Sequence, residues 1–168
     1  IDPAAIAQAR SAQEQGALVV AYIPGGFDIP RELMGEELSC MAYYEQPELM
    51  QDIIDTMKDT SMRVLERVTD TLVIDQLSVH EDLAGKAGPM IGPTQVDTFI
   101  KPYFSAVWDL VHSRGTRIFD MDSDGNMWRV LDSFIGCGIN SMHPMEPAAG
   151  MDIVEVRKKY GKQLVMRG

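Results

Sequence analysis

Arg117-Ile118-Phe119-Asp120-Met121-Asp122-Ser123-Asp124-Gly125-Asn126 runs from an apolar stretch into three carboxylates at alternate positions and closes on a glycine. Carboxylates so close together repel unless a cation, a proton or a ring of donors compensates them, which makes the run a candidate working site. The six residues from Asp120 match the opening of a calcium-binding helix-loop-helix. That reading fails further on. The twelfth loop position should be a bidentate glutamate and is Leu131, and an apolar β-like run precedes the acids where a helix should stand. The alternative takes the run as a β-strand reaching its carboxyl end. Period-two spacing then sends Asp120, Asp122 and Asp124 to one side, Gly125 turns the chain and Asn126 caps the next helix.

Working outward, Ala17 to Ile23 (ALVVAYI) reads as a strand buried on both faces, closed by Pro24-Gly25-Gly26. After a loop, Pro47 opens a helix with Met50, Ile53, Ile54, Met57, Val64, Leu65 and Val68 on one stripe. Thr71 to Leu77 is the next strand, followed at once by His80-Glu81-Asp82. A second long helix begins at Pro93, ends at Gly115 and should be kinked or split by Pro102. Then come a strand from Arg117 to Met121, a helix from Met127 to Ile135, a strand from Ile139 to His143, a helix from Asp152 to Tyr160 and a strand from Gln163 to Arg167. Five alternations of this kind, joined by right-handed crossovers, predict a parallel sheet covered by helices, either doubly wound or a (β/α) barrel. In both, chemistry gathers at the carboxyl ends of the strands. The candidate site residues fall at those ends: Phe27 in the first loop, and the polar residues His80, Glu81 and Asp82 after the second strand, Asp122 and Asp124 after the third, His143 and Glu146 after the fourth, and Arg167 after the fifth.

The 168 residues suffice for one domain, 1–168, and 45% hydrophobic content is ordinary for a globular chain. A net charge of -10 without a run of basic residues argues against nucleic acid as a partner. No apolar stretch approaches the roughly 18 residues of a membrane span. Cys40 and Cys137 are far apart and suit free thiols in a reducing cytoplasm. The chain begins at Ile1 and stops within an apolar run, which reads as an internal piece of a longer protein.

Several separated motifs occur in a recognisable order: HEDLAGKAGPMIGP (His80 to Pro93), FIKPY (Phe99 to Tyr103), DSDGN (Asp122 to Asn126), HPMEPAAGMD (His143 to Asp152) and RKKYG (Arg157 to Gly161). Together they resemble the uroporphyrinogen decarboxylase superfamily from about Pro24 onward. The resemblance implies a (β/α)8 TIM barrel, represented here by an incomplete barrel of about five parallel strands. It implies an enzyme as well: a methyltransferase moving a methyl group between a small molecule and a corrinoid or related carrier, or a porphyrin-pathway decarboxylase. A non-catalytic protein that captures a corrinoid or small ligand is a third expectation.

The decarboxylases carry a tyrosine after the Pro-Gly turn, and Phe27 to Gly35 contains none. The methyltransferases bind zinc through a His-x-Cys-Gly motif where this chain has Asp122-Ser123-Asp124-Gly125, a variant that other members of the superfamily share. The replacement implies a harder divalent metal on Asp122 and Asp124, proton handling by them, or no metal. His80 and His143 are then auxiliary acids or ligands, with Glu81, Asp82, Phe27, Glu146 and Arg167 around the substrate. Expected partners are a small-molecule substrate, a corrinoid protein, and a second copy or the missing part of the barrel, since an incomplete barrel leaves sheet edges open.

Overall fold

A computed structural model describes residues 2–168. The chain runs α1 (Pro3–Glu14), β1 (Val20–Ile23), α2 (Asp28–Met34), α3 (Glu36–Glu45), α4 (Pro47–Thr69), β2 (Gln76–His80), a β3 (Ala84–Gly85) and β4 (Gly88–Pro89) hairpin, α5 (Pro93–Gln95), a π-helical turn (Val96–Ile100), α6 (Lys101–Ser113), β5 (Ile118–Asp122), α7 (Leu131–Ile135), β6 (Ser141–His143), a 3-10 turn (Pro147–Ala149), α8 (Ile153–Tyr160) and β7 (Val165–Met166). Five strands form one parallel sheet in the order β1-β2-β5-β6-β7.

That order follows the chain and never reverses. Right-handed crossovers advancing in one direction lay their helices on one face, whereas a doubly wound sheet reverses at a switch point and is covered on both. The register separates the two faces. Leu77 pairs with Phe119, Val79 with Met121, and Met121 in turn with Met142; all five are buried. Phe119 stacks on Trp108 and meets Phe104 edge-on, both from α6. On the other face one row holds Tyr22, Ser78, Asp120 and Ser141, and the next holds His80, Asp122 and His143. One face is therefore apolar and covered by helices, and the other is lined with polar groups.

The structure moves several expected boundaries. The first strand is four residues long and lies at a sheet edge, so Leu18 and Val20 are exposed and Tyr22 keeps 77% of its surface; it is not buried on both faces. The second strand starts at Gln76, because Thr71 and Leu72 turn back onto Val68 and the Asp75 carboxylate accepts the Val19 amide. His80 consequently closes the strand and does not follow it. The third reaches Asp122, one residue further than expected. The expected loop before Pro47 holds two helices, α2 and α3. Asn126 caps a turn at Trp128, and helix α7 begins only at Leu131. Val64 leaves the α4 stripe and is exposed beside β1. At Pro102 the second long helix does divide. Proline has no amide to give and its ring crowds the preceding turn, and the π-helical turn just upstream relieves that crowding.

Candidate functional site

His80, Asp122 and His143 stand in register at the ends of three adjacent strands, and Asp120 lies one row deeper. They share a cavity of about 380 Å³ with Tyr22, Gln76, Ser78 and Arg167. The floor is built on Asp120. Its buried carboxylate accepts from Ser141 Oγ at 2.5 Å, Arg167 Nη2 at 3.0 Å and Gln76 Nε2 at 3.4 Å. Such a group is a fixed anchor, and it draws the Arg167 guanidinium across the cavity.

His143 is placed by the same guanidinium. Its Nδ1 lies 2.9 Å from Arg167 Nη2 and 3.1 Å from Asp120 Oδ2. Nδ1 thus faces both members of the Arg167–Asp120 pair, and Nε2 points toward Asp122 Oδ2 at 3.5 Å. Asp120 is already served by three donors and does not need the imidazole.

His80 has the opposite arrangement. Its Nδ1 lies 3.0 Å from Asp28 Oδ2, and a carboxylate only accepts, so Nδ1 carries the proton and Nε2 remains free in a side chain that is 54% exposed. The hydrogen bond to Asp28 raises the imidazole above its ordinary 6.5, burial opposes this, and the charges of Asp28, Asp122 and Asp82 add to it. Asp28 is itself held at 2.5 Å by Arg31, whose other arm reaches the Asp82 carbonyl at 3.1 Å and carboxylate at 3.3 Å. Asp82 has a left-handed backbone, φ 44, an unusual state for a residue with a side chain, and this clamp holds it there.

The loop that delivers Asp28 is fixed by Glu81. Its buried carboxyl accepts from the Gly26 amide at 2.7 Å and the Phe27 amide at 2.8 Å. Burial pushes Glu81 up to about 7, against the pull of those amides. Tyr43 and Tyr103 donate to the carbonyls of Gly26 and Pro24. A Cβ at Gly25 would lie 2.1 Å from the His80 carbonyl oxygen, so the loop seats against the strand end only as glycine.

Measured against expectation, His80, His143, Asp122 and Arg167 come together. Glu81 and Phe27 are buried behind the cavity and shape the loop; Phe27 stacks on Tyr43. Asp82 braces Arg31. Glu146 accepts the Gly125 amide at 2.9 Å and ties two rim loops together. Asp124 does not join Asp122. The strand ends at Asp122, the Ser123 amide bonds to the His143 carbonyl, Gly125 turns at φ 84, and the alternation breaks so that Asp124 faces solvent. The metal pair Asp122 and Asp124 is therefore not formed. Among the described residues no group of three His, Cys, Asp or Glu is placed to hold a metal ion. Neither cysteine lines the cavity, and burial lifts the Cys137 thiol to about 12. Asp28, Asp120 and Arg31 were not expected here. The Asp28 to Arg31 spacing of three would have marked the pair once that segment was read as helical.

No protein-family model matches the chain. No curated protein matches it in sequence. Among solved structures, a methyltransferase from Methanosarcina mazei superposes on 99% of this chain with a TM-score of 0.70 and 14% identity. The match covers 48% of that protein, so the chain spans about half its length. At this identity the likeness is one of fold. No helix among the described residues is long and apolar enough to cross a membrane.

Proposed function

We propose that this chain is the part of a (β/α)8-barrel methyltransferase of the uroporphyrinogen decarboxylase type that carries five strands and the acid-base half of the site. Its reaction moves a methyl group between a small molecule and a corrinoid or related carrier. Four things support this reading: the unreversed strand order, the polar open face, the motifs from His80 to Gly161, and the likeness in fold to a methyltransferase about twice as long. The observation that carries it is the row His80, Asp122 and His143 around one cavity, with His80 backed by Asp28.

Methyl transfer to or from an oxygen, nitrogen or sulfur changes the proton affinity of that atom. An acceptor loses its proton as it takes the methyl group, and a leaving atom needs one. His80 handles that proton at Nε2 while Asp28 holds the ring through Nδ1. Asp122 and Nε2 of His143 orient the reacting group beside it. A thiolate zinc centre does not fit this donor set, so no step runs through one. On this part of the barrel the cavity is of small-molecule size. A bound corrinoid would supply or receive the methyl group. A tetrapyrrole decarboxylase would need a roomy cavity lined by arginines, and one arginine lines this one.

The test supplies methylcobalamin and a panel of small alcohols, amines and thiols to the full-length protein and follows the methylated product by NMR. We expect turnover that falls about a hundredfold in His80→Gln and is unchanged in Asp124→Asn. Ligand binding without turnover would make the chain a binding protein and overturn the proposal.

A further inference from the structure

The hydrogen-bonding groups left free on the cavity wall define a ligand. Asp120 is saturated by Ser141, Arg167 and Gln76, and the Nη2 of Arg167 is held between Asp120 and His143. Among the ionisable groups of the wall two acceptors remain: the Asp122 carboxylate, and Nε2 of His80 in its neutral form, whose Nδ1 proton is held by Asp28. They belong to residues side by side on paired strands, about 5 Å apart at the backbone, and both line the same cavity. Charge distinguishes the two. Arg31 pairs with Asp28 and Asp82, and Arg167 pairs with Asp120. Among the described residues Asp122 has no lysine or arginine partner; its one ion-pair contact is His143 at 3.5 Å.

We propose that the cavity takes a small protonated amine, with its nitrogen seated between His80 Nε2 and the Asp122 carboxylate. An ammonium nitrogen brings a positive charge and at least two N–H donors when primary or secondary, which matches both acceptors. An alcohol brings one donor and no charge. A carboxylate is repelled by Asp122. A thiol needs a soft cation or a strong base to form its thiolate, and neither cysteine of the chain lines this cavity. Val20 and Tyr22 give the wall an apolar side for N-methyl groups. Once the amine is seated, one N–H proton passes to His80 Nε2, leaving a neutral amine with a free lone pair and an imidazolium held by Asp28. The consequence for catalysis rests on the methyl-transfer reading above; the binding does not.

The test titrates the full chain with methylammonium, tetramethylammonium, methanol, methanethiol and acetate, following the His80 side-chain nitrogens and the Asp122 amide by NMR. Methylammonium is expected to bind and to move both signals. Tetramethylammonium carries the same charge without N–H donors and is expected to bind about tenfold more weakly. Asp122→Asn is expected to lose about tenfold in methylammonium affinity, and Asp124→Asn to lose nothing. The proposal is overturned if tetramethylammonium binds as tightly as methylammonium, if methanol or methanethiol binds more tightly, if the two aspartate variants behave alike, or if no amine binds. Amine binding without methyl transfer would remove the methyltransferase reading and leave this one standing. Methyl transfer to an alcohol or thiol without amine binding would do the reverse.

Discussion

At the scale of single residues, two buried or half-buried carboxyls set the chemistry. Asp28 raises the His80 imidazole, so Asp28→Asn should bring His80 back toward 6.5 in an NMR titration. A group raised in the folded state adds stability below its unfolded value and loses it as pH rises through its folded value. Asp28→Asn should therefore flatten that part of the stability profile. Glu81 follows the same sign from a different cause. Burial raises it from 4.5 to about 7, so its contribution to folding declines as pH climbs through that window, by an amount on the order of 3 kcal/mol. Thermal unfolding at pH 5 and pH 7.5 should show a smaller difference in Glu81→Gln than in the wild type; an equal difference would refute the assignment. The pair His80 and His143 was legible because both close apolar runs. Asp28 was not, since its partner lies 52 residues away, across a loop whose conformation only the folded chain sets. The choice of Asp124 over Asp120 failed for a local reason: the strand ends at Asp122, and period-two alternation has no meaning past a strand's end.

At the scale of elements, the loop from Pro24 to Phe27 does the positioning. It is pressed between β2 and α6, with Glu81 bonding its amides and two tyrosines its carbonyls. Gly25→Ala drives a Cβ into the His80 carbonyl and must displace either the loop or the strand end. We expect a loss of about 3 kcal/mol by denaturant unfolding. The raised His80 titration should vanish with it, since Asp28 moves with the loop. Gly138→Ala, which meets the Trp108 ring at 2.2 Å, should destabilise comparably while leaving the His80 titration intact. The α4 and α6 helices were legible from their apolar stripes, and Pro102 from its missing amide. The strands were legible in number and order but not in extent. A run such as ALVVAYI carries the same residues whether it is central or at an edge, and only its neighbours decide which part is paired. The short helices α2 and α3 escaped because they are brief and lack a clear apolar stripe.

For the whole molecule, the unreversed parallel order leaves one sheet face without helices and two strands, β1 and β7, with unpaired edges. Val20, Tyr22 and Val165 are exposed along those edges. The apolar grooves beside them, between β1 and α4 and between β7 and α8, are where further strand and helix units of a barrel would pack. The isolated chain should therefore associate, with a second copy or with a polypeptide supplying the remaining strands. Light scattering that finds a stable monomer across micromolar concentrations would contradict this. Parallel alternation was readable in the sequence, whereas the absence of a switch point was not, because strand order is a property of the folded sheet. In the proposed reaction the Asp28-backed His80 handles the proton of methyl transfer. The most direct test of this role is the pH dependence of methyl transfer in the wild type and in Asp28→Asn. The rate should rise as His80 loses its proton, with the rise moved to lower pH and a smaller plateau in the variant. An unmoved profile with an unchanged plateau would contradict it.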